Sequence, residues 1–233
     1  MKIKDSVAFV TGANRGLGLA LVNELLARGA SKVYAGVRNP TSINLPGVIA
    51  VKLDVTNAEE VAAAAAQCGD VTLLINNAGI ARFVSYLDPA AIDTAREIMD
   101  ANYLGPIRMC QAFTPVLANN HGGAIINILS VASWINAPEL SLYAASKSAV
   151  WGFTNGLRTH VRAHGTQVLG LHVGFMDTDM TDGLDFPKVS PQQVAVQTLD
   201  GLEAGLEEIL ADDITRTVKE GLSSGIYLAP LQR

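Results

Sequence analysis

Short apolar runs rich in valine, isoleucine and leucine alternate along this chain with longer segments of helical periodicity. The runs Val7–Val10, Lys32–Val37, Val48–Leu53, Leu73–Asn76, Ala124–Leu129 and Gln167–His172 predict six strands. Because they are apolar throughout and do not alternate with polar residues, they suit a parallel sheet buried on both faces. Between them, Leu17–Arg28, Ala58–Gln67, Ala91–Leu117 and Leu142–His164 predict helices. This βαβα order implies one doubly wound α/β domain over residues 1–233, with six or seven mostly parallel strands and helices on both faces. Near the C-terminus, Ser190-Pro191-Gln192-Gln193 carries an N-cap serine, a proline at the first helical position and a glutamine at the third, so a helix begins there. Another helix is expected around Ile214–Leu222 and a last short strand at Ile226–Ala229.

Composition narrows the class. Over 233 residues, 49% are hydrophobic and 17% charged, a balance that favours an ordered, well-buried protein over a disordered one. A net charge of −5 without a dense basic stripe argues against a nucleic-acid partner. No run is long enough to predict a membrane span, and the start lacks the apolar core of a secretory signal. Cys68 and Cys110 lie far apart in expected helices and read as core thiols, so the cytoplasm is the expected compartment. His160 and His164 sit four apart but lack a third ligand, and no metal is expected.

Candidate chemistry gathers where strands end. The first strand runs into Thr11-Gly12-Ala13-Asn14-Arg15-Gly16-Leu17-Gly18 and then a helix. Such a loop offers free backbone N–H groups and a positive helix end to a pyrophosphate, although a glycine loop also serves as an ordinary tight turn. Dinucleotide sites selective for NAD usually place an acid about 20 residues on. Here no Asp or Glu lies between Gly29 and Leu53, and the second strand ends at Arg38. Arg38, with Arg15 from the glycine loop, suits a 2′-phosphate, which predicts NADP(H). Asp54 and Val55 follow the third strand, the carboxylate positioned for an adenine amino group, and Asn76-Asn77-Ala78-Gly79 follows the fourth. Tyr143 and Lys147 share a helical face, and a nearby ammonium is expected to lower the phenol's pKa toward proton transfer. Ser130, thirteen positions before Tyr143, ends the fifth strand. Phe83, Trp134, Leu140, Leu142, Phe175, Met176 and Met180 flank these positions and are candidates for an apolar pocket.

Together these residues resemble the short-chain dehydrogenase/reductase family, in its NADP-preferring subgroup of about 250 residues. Thr11–Gly18 is similar to its T-G-x-x-x-G-x-G motif, Asn76–Gly79 to N-N-A-G, and Ser130, Tyr143 and Lys147 to its Ser and Tyr-x-x-x-Lys signature. The resemblance implies a Rossmann-type fold and a carbonyl–alcohol oxidoreductase acting on a small molecule. Tyr143 would transfer the proton, and Lys147 would tune it and hold the nicotinamide ribose. Ser130 would orient the carbonyl, and Asn102 would anchor a relay water. Gly174 and Thr178 would flank the nicotinamide, and a homodimer or homotetramer would form through the Ala91–Leu117 and Leu142–His164 helices. Val173 replaces the family's usual proline before Gly174, which is expected to loosen that turn. The same fold also serves epimerases and dehydratases, which the short stretch after Lys147 disfavours, and non-catalytic NADP(H)-binding regulators, which the intact Ser130, Tyr143, Lys147 and Asn102 disfavour.

Overall fold

The computed structural model describes residues 1–229. Seven parallel strands form one sheet: β1 (Val7–Thr11), β2 (Lys32–Val37), β3 (Val48–Lys52), β4 (Leu73–Asn76), β5 (Gly123–Ile128), β6 (Thr166–His172) and β7 (Glu208–Leu210). Their spatial order, β3-β2-β1-β4-β5-β6-β7, reverses between β1 and β4. That reversal opens a crevice beyond the carboxyl ends of the strands, where ligands of open α/β sheets bind.

The strands alternate their side chains between two cores. Ala8 and Val10 of β1, Leu73 and Ile75 of β4, and Ala124 and Ile126 of β5 face one layer, built with α1 (Gly16–Ala27) and α6 (Pro191–Glu203). Phe9, Leu74 and Ile125 face the other, packed by α2 (Ala58–Gln67), α4 (Gly105–Asn119) and α5 (Ser141–Val161). Both faces are covered, which is why the strands read as continuous apolar runs. Local signals fix several helix starts. Asn57 accepts from the N–H groups of Glu59 and Glu60 at α2, and Ser190 accepts from Gln193 N–H at α6, with Pro191 in the first turn.

Three elements differ from expectation. The Ala91–Leu117 segment is not one helix: α3 (Ala91–Met99) passes through a π turn (Asp100–Leu104) into α4. Gly105 N–H reaches back to the Asp100 carbonyl, and Pro106 has no N–H to give Asn102, so the regular ladder cannot run through. The expected strand at Ile226–Ala229 is instead a 3₁₀ turn at Ile226–Leu228, entered through Gly225 in the left-handed region. The seventh strand is β7, three residues long and paired with β6, just before α7 (Asp213–Gly221). No helix among the described residues is long and apolar enough to cross a membrane. Cys68 and Cys110 are free and buried, and burial pushes both thiols up to about 12.

Candidate active site

The strand ends enclose a cavity of about 500 Å³. It is lined by Gly12, Asn14, Arg15, Gly16 and Leu17 from the glycine loop, Arg38 after β2, and Asp54 and Val55 after β3. Asn77, Ala78 and Gly79 after β4, Ser130 after β5, Tyr143 and Lys147 on α5, and Gly174 and Thr178 after β6 complete it. Gly18 and Asn102 do not line it; they act on the walls.

Gly18 lets α1 meet the sheet. A Cβ there would lie 2.2 Å from the Gly12 carbonyl oxygen and 2.6 Å from Asn77 Nδ2. Gly12 itself has φ +64°, a conformation L side chains rarely adopt. The loop is closed from β4: Asn77 Nδ2 donates to the Thr11 carbonyl at 2.9 Å, and Ala78 N–H donates to Thr11 Oγ1 at 2.9 Å. No side chain caps the N-terminus of α1, so its first turn stays available to an anion.

The cations differ from each other. Arg38 is exposed and makes no ion pair among the described residues, whereas Arg15 bonds Asp179 at 2.8 Å across the cavity. Burial works against ionisation of Asp54, but Thr56 hydrogen bonds and the Arg38 charge still hold its carboxyl below the ordinary range. Asp54 Oδ1 accepts from both Thr56 N–H and Thr56 Oγ1.

Around Tyr143 the geometry is tight. Lys147 is buried, and its Nζ donates to the Ile128 carbonyl at 2.8 Å while standing 5.7 Å from the Tyr143 ring centre. Burial pushes the phenol up to about 12, with the Ser130 hydroxyl pulling the other way, and pushes Lys147 down to about 8. The expected lowering of the phenol by Lys147 is therefore outweighed: desolvation disfavours both charged forms here. Ser130 Oγ accepts from Ala132 N–H at 3.1 Å, which leaves its O–H to donate into the cavity. Asn102, buried in the π turn, accepts from Ile80 N–H at 2.8 Å and donates to the Ile80 carbonyl at 2.9 Å and Ser146 Oγ at 3.1 Å. Its side chain is a clamp on the segment after β4.

The turn at Val173-Gly174 is held, not loosened. Val131 N–H bonds the Val173 carbonyl, and Gly174 N–H bonds the buried Asp212 carboxylate at 2.6 Å. Of the apolar candidates, Phe83, Leu140, Phe175, Met176 and Met180 line the cavity. Trp134 and Leu142 do not, and Trp134 instead stacks on His172 with ring centres 3.8 Å apart. His172 escaped the sequence reading because it lies inside an apolar run. It is fully buried, burial pushes it down to about 4, and so the neutral ring donates from Nδ1 to the Ser130 carbonyl at 3.1 Å. The π turn was also missed, although Pro106, four positions after Asn102, is its visible signal.

Comparison with known proteins agrees with this geometry. A short chain dehydrogenase from Burkholderia cenocepacia J2315, solved in complex with NADP, is 40% identical. It superposes with a TM-score of 0.92 over 97% of this chain and 95% of its own. The NADPH bound carbonyl reductase from chicken fatty liver is 31% identical, with a TM-score of 0.78 over 87% of this chain and 92% of its own. An uncharacterized oxidoreductase of Staphylococcus epidermidis is 31% identical over 83% of this chain and 89% of its own. Residues 6–186 match the short chain dehydrogenase family as a whole, and the protein belongs to that family of oxidoreductases.

Proposed function

We propose that this chain is an NADP(H)-dependent carbonyl reductase, interconverting a ketone or aldehyde and an alcohol within one dinucleotide-binding and catalytic domain. The observation that carries it is the meeting of Ser130, Tyr143 and Lys147 in the same cavity as Arg38 and the glycine loop. The NADP and NADPH held by two similar structures support the same cofactor.

The residues fit the dinucleotide. The uncapped start of α1 and Gly12 receive the pyrophosphate, and Arg38 takes the 2′-phosphate, where an acid would repel it. Asp54 and Val55 border the adenine, while Asn77, Ala78, Gly79, Gly174 and Thr178 border the nicotinamide riboside. When bound, the cofactor supplies or accepts the hydride at the substrate carbon.

The chain's own part is the proton. A phenol held near 12 is protonated at neutral pH, the form a carbonyl reduction consumes. Tyr143 gives that proton to the carbonyl oxygen while Ser130 O–H donates to the same oxygen, so a C=O becomes CH–OH with one hydride and one proton added. Lys147, near 8 and fixed on Ile128, sits close enough to restore the phenol's proton. Asn102 holds Ile80 and so the cavity edge, and Pro106 leaves the Asn102 backbone carbonyl available to a water. Exposed Ile92 and Leu104 on the α3–α4 segment support a homodimer or homotetramer through these helices.

Tyr143→Phe tests the mechanism. NADPH oxidation with a reducible carbonyl should fall by about 10³-fold, while NADPH binding by fluorescence stays within about twofold of the parent. Unchanged turnover refutes the assigned proton transfer. Equal or better efficiency with NADH refutes the role given to Arg38.

A further inference from the structure

Charge is distributed unevenly inside the cavity. The sheet order separates its two ends: β2 and β3 bring Arg38, Asp54 and Val55 to one, and the segments after β5 and β6 build the other. That second end carries Ile135, Leu140, Phe175, Met176, Met180 and Leu184. The lining contains three cations, and none serves this end. Arg38 stands at the β2 end, Arg15 is engaged by Asp179 at 2.8 Å, and Lys147 bonds the Ile128 carbonyl. Two carboxylates, Glu97 and Asp100, also reach the lining, paired with Arg82 at 2.9 Å and Arg108 at 2.7 Å, neither of which lines it.

The apolar end has an aromatic wall. Phe175 and Phe186 stack with ring centres 4.4 Å apart and planes within 3°. The backbone holds the two together: Val189 N–H bonds the Phe175 carbonyl, and Asp177 N–H bonds the Val189 carbonyl. Phe186 remains 39% exposed, so its ring has surface left to cover.

We infer that the substrate is a neutral, apolar ketone or aldehyde without a carboxylate or phosphate near its carbonyl, and that its non-reacting group packs against the Phe175–Phe186 wall. The inference rests on the carbonyl reductase reading. An anionic group brought to this end meets no free cation and two nearby carboxylates, and burying an unpaired charge is far costlier than burying an apolar group. A flat apolar group covers Phe186 and gains the area that the exposed ring leaves open.

The test uses the full chain with NADPH and two matched pairs: ethyl phenylglyoxylate against phenylglyoxylate, and hexane-2,3-dione against 2-oxohexanoate. The neutral member of each pair should show kcat/KM at least about 100-fold higher, because the acid's charge finds no partner. Phe186→Ala should raise KM for ethyl phenylglyoxylate by about tenfold, with Phe186→Leu between, while KM for hexane-2,3-dione and the NADPH Kd move less than about threefold. Acids turned over within about tenfold of their neutral partners overturn the inference while leaving the reductase reading intact. An unchanged KM for the aromatic ester in Phe186→Ala overturns the role of the wall. If NADPH binds but no member of either pair is reduced, the reductase reading fails and the inference falls with it.

Discussion

Ser130 and Lys147 on the cavity floor are 6% and 7% exposed, whereas Met180 and Phe186 on its outer wall are 44% and 39% exposed. The floor is tied by bonds between regular elements: Lys147 to Ile128, Leu129 N–H to the Leu171 carbonyl, Val131 N–H to the Val173 carbonyl, and Asn102 to Ile80. The wall, residues 178–189, rests on the Met176–Val189 bridge, the exposed Arg15–Asp179 pair and the Phe175–Phe186 stack. Proton transfer needs its groups fixed to a fraction of an ångström, so they belong on strand ends and a long helix. A surface that selects among substrates can change without disturbing that floor.

Gly18→Ala should show the largest difference between the two regions. The new Cβ would lie 2.2 Å from a backbone oxygen that cannot step aside, so the glycine loop or α1 must shift. NADPH Kd should rise by at least about 100-fold, and thermal denaturation should fall by about 5–10 °C. Gly183→Ala on the wall is the control: its φ of +73° costs about 1 kcal/mol, but open space surrounds the site and NADPH affinity should not change. A Gly18→Ala protein that binds NADPH normally would remove the distinction.

The second effect lies in pH dependence. Burial holds Lys147 near 8, against 10.5 in an unfolded chain. Between these values the unfolded state binds the extra proton, so stability rises with pH from about 8 to 10.5, by about 3 kcal/mol in all. Tyr143 acts in the opposite sense above pH 10, because the folded state keeps its proton up to about 12. Urea unfolding of the parent and of Lys147→Met at pH 8 and 10 isolates the lysine. The gap between them should shift in the parent's favour at the higher pH, and parallel values would show that the floor does not strain this charge.

The contrast between floor and wall also explains what the sequence disclosed. The six longer strands and the glycine loop were legible because continuous apolar runs and turn residues are local signals with a single structural solution. Tyr143, Lys147 and Ser130 were legible because helical spacing and strand ends place them without knowledge of the rest. β7 was hidden: it has three residues, with only Ile209 buried, too short for any period. Ile226–Leu228 looked more strand-like but follows Gly225 at φ +79°, which turns the chain instead. The pairing of Arg15 with Asp179 joins residues 164 positions apart, and His172 reaches Ser130 across 42; neither has a local trace. The dominance of burial over the Lys147 charge is likewise a property of the packed cavity, invisible in a spacing of four.

Asp179→Asn should give the smallest effect and the sharpest sign. Both side chains of the Arg15–Asp179 pair are largely solvent-exposed, at 68% and 74%, so its loss should change stability by no more than about 0.5 kcal/mol. Arg15 is then free of its carboxylate partner, and a negative charge leaves the edge of the cavity. NADPH should bind about two- to threefold more tightly at low salt, NADH should be unaffected, and the gain should shrink as salt screens the exposed charges. Weaker NADPH binding in Asp179→Asn would mean that the ion pair closes over the cofactor. The wall would then share in holding the dinucleotide, and its separation from the floor would be one of exposure alone.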